Sequence, residues 1–195
     1  MKPESGIYDL TMTSHDPVTK DLLETFEVVR SRTFARLEGL TDAEYQWQPV
    51  ADCVTVRPTE EGVFRADSRP PGSGPSDAPE PVSTIAWRMW HIGAFCLRGY
   101  VINFFEDVPD FGDRYEWPGT ANLGVLAMAE DWARFVSRIE ALGDERLLAP
   151  MGKIAEPTGM ADASYLALAL HALDEVAHHG GEIGLMRDLY LRQGG

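Results

Sequence analysis

The C-terminal part of the sequence carries the residues best suited to chemistry. Residues 174–182 read Asp-Glu-Val-Ala-His-His-Gly-Gly-Glu, which places a carboxylate and an imidazole four residues apart, at Glu175 and His179. Because a helix brings residues four apart onto one face, this spacing offers two ligands to one metal ion. Of the five histidines in the chain, His171, His178 and His179 crowd into this region. The pattern predicts a metal site if the segment is helical and another element supplies a further ligand.

A helical wheel distinguishes two acid–histidine pairs in this segment. Successive residues turn through about 100° in an α-helix, so His179 lies about 40° from Glu175, inside an apolar arc. The other members of that arc are Leu168, Ala172, Val176, Ile183, Met186 and Tyr190. Asp174 and His178 fall away from it, at about 260° and 300°. We therefore expect Glu175 and His179 to face the core and His178 to be solvated.

An ionised glutamate among apolar side chains needs a compensating cation or hydrogen bonds, because it loses its hydration. A metal ion bound by Glu175 and His179 would compensate it, and His91 is the candidate third ligand. His91 lies on an apolar segment beside Trp87 and Trp90. Two histidines and one glutamate suit zinc, with nickel as the alternative, and leave one position for water or substrate. A core histidine and an ordinary surface pair are the competing interpretations.

Glu182 and His171 lie at the polar edge of the same arc, at about 340° and 320°. Either could hydrogen-bond a metal ligand and orient it, or could simply lie at the boundary with solvent, which we expect for His171. If the site is catalytic, Glu182 could also accept a proton from a thiol or position a water molecule. Glu182 is therefore the candidate catalytic residue.

The composition limits the classes of protein to which the chain can belong. A length of 195 residues with 44% hydrophobic content suits a single domain over residues 1–195. The net charge of −14 argues against nucleic acid and anionic lipid as partners. No apolar run approaches the roughly 20 residues of a membrane span, and the N-terminus lacks signal-peptide features, so we expect a cytoplasmic protein. Cys53 and Cys96 form no disulfide framework and no paired-thiol metal motif, and we expect both to be reduced and uninvolved.

Apolar residues at helical spacing predict an all-α protein, and a four-helix bundle is the simplest architecture. The four helices are predicted at 16–39, from 83 or 84 to 109, 122–143 and 162–192, from their capping residues and terminating glycines and prolines. The expected core stripe of the third helix is Leu126, Ala129, Trp132, Phe135, Val136 and Ile139.

Residues 48–82 interrupt the helical pattern with seven prolines. We interpret them as a long loop insertion between the first and second helices, because a linker would have to follow a segment able to bury its own core. Such a loop is either an ordered lid or a mobile decoration. Short extended pieces are expected near 54–56 and 63–65.

Two segments together resemble the DinB superfamily, and especially its branch related to mycothiol-dependent maleylpyruvate isomerases. They are Thr-Ile-Ala-Trp-Arg-Met-Trp-His-Ile-Gly at 84–93 and Asp-Glu-Val-Ala-His-His-Gly-Gly-Glu-Ile at 174–183. The resemblance implies a four-helix bundle with a divalent metal, commonly zinc, held by a histidine of the second helix and two residues one turn apart on the last. His91 matches the first position, and Glu175 and His179 match the other two.

The resemblance also implies a function for the metal. Related proteins include transferases and isomerases that use a low-molecular-weight thiol such as mycothiol, so we expect a metal-dependent thiol S-transferase or detoxification enzyme acting on a small electrophile. The sequence ends soon after the fourth predicted helix, so we do not expect the isomerases' additional C-terminal domain or their own activity. A metal-dependent hydrolase with an activated water and a non-catalytic metal-binding bundle are the alternatives. Apolar faces could also pair in a homodimer, with Trp117 or Phe111 at the interface.

Overall fold

The computed structural model describes residues 16–68 and 81–193. Their helices are α1 (Pro17–Leu37), α2 (Asp42–Tyr45), α3 (Ile85–Trp90), α4 (Gly99–Phe104), α5 (Ala121–Glu140), α6 (Gly143–Leu148) and α7 (Tyr165–Arg192). A π-helical stretch, His91–Arg98, joins α3 to α4 without a break, and a 3-10 helix spans Gly152–Thr158. The long segments are α1, the α3–π–α4 rod, α5 and α7, which confirms the predicted all-α, four-helix architecture. None of the described helices combines the length and apolarity needed to cross a membrane.

The beginning of α1 is capped by another helix. Asp16 does not cap its own helix; its Oδ1 atom accepts a hydrogen bond from the backbone N–H of Asp144 at 2.8 Å. In return, the Asp144 carboxylate accepts hydrogen bonds from the backbone N–H groups of Val18 (3.1 Å) and Thr19 (2.8 Å). This exchange satisfies N–H groups that a helix leaves unpaired at its first turn, and it holds the start of α1 against α6.

The other long helices begin at a side-chain acceptor. The Thr84 hydroxyl accepts from the backbone N–H of Trp87 at 3.2 Å, which confirms one of the two predicted caps of the second helix. The third long helix begins at Ala121, whose backbone N–H donates a hydrogen bond to Asp42 Oδ1 at 2.7 Å. The fourth begins at Tyr165, and the side chain of the preceding Ser164 caps it. The second helix ends at Phe104, five residues before the predicted proline, because Phe105 is extended.

The core lies between the four long segments. Leu22, Phe26, Val29 and Leu37 of α1 are buried, and the second long segment buries Trp87, Trp90, Leu97 and Val101. The stripe of α5 is partly wrong, since Leu126 is 52% exposed and Met128 is buried. Burial at Met128, Trp132, Phe135 and Ile139 follows a consistent helical spacing, which Leu126 does not share. Trp117 is buried as well, and therefore is not an exposed aromatic at a dimer interface.

A buried carboxylate joins α5 to the π-helical stretch. Asp131 is only 1% exposed, and it accepts hydrogen bonds from Arg98 Nε at 2.9 Å and from Arg98 Nη2 at 2.8 Å. Arg134 Nη1 adds a third contact at 3.0 Å. The two-pronged arginine contact is the strong geometry for such a pair, so the interaction fixes how the π-helical stretch lies on α5.

The loop between α1 and α3 contains a small antiparallel sheet of two strands, β1 (Val56–Pro58) and β2 (Phe64–Ala66). The two extended pieces expected from the sequence are thus present, with shifted bounds. The loop also contacts the beginning of the second helix, because Trp87 Nε1 donates a hydrogen bond to the backbone carbonyl of Asp67 at 3.1 Å. Residues 69–80 of the predicted 48–82 insertion lie outside the described residues.

Candidate metal centre

Three predicted ligands, His91, Glu175 and His179, meet between the π-helical stretch and α7. Glu175 Oε2 lies 3.2 Å from His91 Nε2 and also 3.2 Å from His179 Nε2. The two imidazole rings stand edge to face, with centroids 4.6 Å apart. Both histidines are buried, whereas Glu175 keeps 25% of its side chain exposed. The cluster therefore converges on one carboxylate oxygen and reaches solvent through Glu175.

The wheel analysis of α7 is confirmed by burial. Apart from half-buried Glu175 and Tyr190, the residues of the expected arc are buried, and His178 is exposed at 65% of its side chain. The helix approaches α1 closely beside the ligand, since a Cβ atom on Gly180 would lie 2.7 Å from Thr33 Oγ1. Glycine at position 180 thus permits α7 to pack this closely against α1.

His91 is held by aromatic rings on both faces. The Trp87 ring stacks on it with centroids 5.3 Å apart and an interplanar angle of 11°, and the Phe95 ring stacks on the other side at 5.3 Å and 15°. Its Nδ1 atom is buried and has no hydrogen-bond partner within the described residues. The stacking fixes the ring plane and leaves Nε2 as the nitrogen that faces Glu175.

Glu182 lies on the far side of His179 from Glu175. His179 Nδ1 lies 2.7 Å from Glu182 Oε2, and Arg88 Nε lies 2.8 Å from the same oxygen. A carboxylate in this place fixes the tautomer and orientation of a ligand histidine. These contacts favour the orienting interpretation of Glu182 over that of a catalytic base. His171 is exposed beside the Tyr100 ring, as expected for a boundary residue.

Cys96 is a free thiol, as expected, and it lies beside two of the candidate ligands. Its Sγ atom lies 3.5 Å from His91 Nε2 and 3.7 Å from Glu175 Oε2. In an α-helix, residues five apart point about 140° away from each other. The π-helical stretch closes hydrogen bonds between residues five apart and so stacks Cys96 over His91. Because the contact depends on π-helical geometry, α-helical periodicity in the sequence does not indicate it.

The electrostatics of the cluster suit a cation. Hydrogen bonds from His179 and His91 hold the pKa of Glu175 well below its usual range, so the carboxylate is ionised. Burial lowers the pKa of His91, which keeps a nitrogen lone pair available for a metal. Burial would also lower the pKa of His179, but hydrogen bonds to Glu175 and Glu182 outweigh it and raise that pKa. Burial and the nearby Glu175 charge raise the pKa of the Cys96 thiol.

Fold and site together define a helical bundle whose second and last long helices carry a buried His-Glu-His group able to hold a metal ion. The model of the DinB superfamily matches residues 25–183, and the chain belongs to this metal-binding superfamily. A crystal structure of a conserved protein from Enterococcus faecalis is similar at 18% identity and a TM-score of 0.45, covering 88% of this chain and 96% of that one. No curated protein matches the sequence significantly.

Proposed function

We propose that the chain binds one divalent ion, zinc before nickel, through His91, Glu175 and His179. The supporting observation is the convergence of two imidazole Nε2 atoms on one carboxylate oxygen, each at 3.2 Å. With metal–nitrogen and metal–oxygen bonds of about 2.0 to 2.1 Å, tetrahedral zinc keeps such ligand atoms about 3.3 to 3.4 Å apart. Two of the three ligand–ligand distances therefore match that spacing, and the third pair of atoms lies within 4.8 Å.

We further propose that the loaded protein transfers a low-molecular-weight thiol to a small electrophile. When bound, the ion supplies the positive charge that holds a thiol as its nucleophilic thiolate. The chain's own residues set the geometry: Trp87 and Phe95 fix the ring of His91, and Glu182 fixes that of His179. Arg88 in turn holds Glu182, with its Nε atom 2.8 Å from the carboxylate, so Glu182 acts as a positioning residue.

The transfer is tested by following thiol and electrophile consumption with a small monothiol and an activated aryl halide. We expect turnover only when both metal and thiol are present, and a return to the uncatalysed rate in His91→Ala, because that variant lacks one ligand. His171→Ala is the matched control, since His171 is exposed outside the cluster. Metal-dependent turnover of an ester or amide without thiol would support the hydrolase alternative, and a metal-loaded protein inactive in both assays would support the non-catalytic bundle.

Glu182→Gln is expected to weaken metal affinity by about 10- to 100-fold, because it removes the carboxylate that orients His179. The dissociation constant can be measured by competition with a chromogenic chelator. Asp174→Asn removes one negative charge from the exposed side of the same helix and controls for the charge change. Equal weakening in the two variants would show that only net charge matters, and would contradict a positioning role for Glu182.

A further inference from the structure

The distances from Cys96 resemble those between ligands of one metal ion. Its Sγ atom lies 3.5 Å from His91 Nε2 and 3.7 Å from Glu175 Oε2. With a metal–sulfur bond of about 2.3 Å, a tetrahedral zinc ion keeps sulfur about 3.5 to 3.6 Å from its nitrogen and oxygen ligands. Both contacts lie within about 0.2 Å of that spacing. The ligand atoms that all lie within 4.8 Å of one another are those of His91, Glu175 and His179. Cys96 lies outside that set, so its side chain or that of His179 has to shift for all four to reach one ion.

We propose that Cys96 is a fourth metal ligand, which completes a His-His-Glu-Cys centre in the absence of added thiol. The inference rests on the proposed metal site at His91, Glu175 and His179, and it names the donor that occupies the remaining position. Coordination breaks the S–H bond of Cys96, forms a metal–sulfur bond and releases the proton to solvent, with no electron transferred. A thiolate donor makes the centre selective for thiophilic ions such as zinc and cobalt over magnesium and manganese.

The helix geometry explains why the Cys96 side chain lies beside His91. The π-helical stretch begins at His91 itself and includes Cys96, so it stacks these two side chains. A regular α-helix through the same residues would direct them about 140° apart. π-helical turns are rare and occur frequently at functional sites.

Cys53 shows what a buried cysteine without such a role looks like in the same chain. It is 2% exposed, compared with 3% for Cys96, and its Sγ atom donates to the backbone carbonyl of Val50 at 3.1 Å. The two thiols are therefore matched in burial but differ in their surroundings. Cys96 contacts two candidate ligand atoms, whereas Cys53 donates its hydrogen bond to a backbone carbonyl.

A Cys96 ligand would also affect how an external thiol reaches the metal. An incoming thiol can replace Cys96 at the metal if its proton passes to the Cys96 sulfur as the new metal–sulfur bond forms. The charge on the centre then stays the same, because one thiolate replaces another.

Cobalt(II) titration of the full chain tests the proposal, because thiolate coordination produces a sulfur-to-cobalt charge-transfer band in the near ultraviolet. We expect the band in the wild-type protein and in Cys53→Ser, and its loss in Cys96→Ser with cobalt still bound. A band that persists in Cys96→Ser, or cobalt bound to the wild type without the band, would overturn the proposal. If Cys96→Ser does not fold, the wild-type and Cys53→Ser spectra still decide, because the chain has two cysteines.

The outcome also separates this inference from the metal site on which it rests. Bound cobalt without a thiolate band removes Cys96 alone and leaves His91, Glu175 and His179 as ligands. Absence of cobalt binding removes both proposals. Proton release gives a second readout: the wild-type protein should release about one more proton per ion than Cys96→Ser, measured by calorimetry in buffers of different ionisation enthalpy. Equal proton release would contradict a thiolate ligand.

Discussion

His179→Ala is expected to abolish stoichiometric metal binding, whereas His178→Ala should retain it. The reason is geometric: His179 Nε2 lies 3.2 Å from Glu175 Oε2, while the His178 side chain is 65% exposed. Metal content per chain can be measured by mass spectrometry after dialysis. Metal present at about 100 times its dissociation constant stabilises a folded protein by about 2.7 kcal/mol, which raises Tm by roughly 5 to 10 °C at this chain length. His179→Ala should lose that increase.

The paired variants also identify where the ion would lie if the proposal is wrong. His178, His179 and Glu182 form a second group of close ligand atoms on α7, on the exposed side of His179. Loss of metal in both variants would place the ion in that second group. Retention in both would exclude His179 as a ligand, and would leave the cluster as a hydrogen-bonded core feature.

Asp131→Ala is expected to lower the free energy of unfolding by about 3 to 5 kcal/mol, because it leaves the charge of Arg98 without its buried partner. Arg98 keeps only 15% of its side chain exposed, so water replaces the lost carboxylate poorly. Urea denaturation followed by circular dichroism would measure the change. Glu130→Ala, at the exposed neighbouring position of α5, should stay within about 0.5 kcal/mol of the wild type.

A small effect of Asp131→Ala would have a clear structural meaning. If the loss were below about 1 kcal/mol, the pair would behave like an exposed salt bridge, so Arg98 would have to find another acceptor or reach solvent in the variant. The π-helical stretch would then be fixed on α5 mainly by its apolar side chains.

The arrangement of α7 could be predicted because its pattern has one clear apolar arc. Glu175 and His179 share that arc with Val176 and Ile183, and a single rotation per residue places all of them. His91 required more than periodicity, because an apolar helix with one histidine is usually an ordinary core helix. His91 became a candidate ligand because Glu175 and His179 supply only two of the ligands that a metal ion needs.

The remaining features depend on interactions that no single-helix pattern contains. Leu123 and Leu126 are apolar but more than half exposed, so the sequence of α5 is compatible with more than one core face. The cap of α1 comes from Asp144, far along the chain, and could not be found by looking for a local capping residue. Cys96 reaches the cluster only through π-helical geometry, whereas the wheel assumes a uniform turn of about 100° per residue.

The stacking of Trp87 on His91 makes tryptophan fluorescence sensitive to the state of the site. The indole lies parallel to the imidazole at a centroid distance of 5.3 Å, and the Trp90 ring lies 6.4 Å from the same imidazole. Any change in the charge of the His91 ring alters the electric field at these two indoles, and therefore their emission. Metal binding at the proposed site should therefore change the intrinsic fluorescence, which can be measured without a label or a chromogenic substrate.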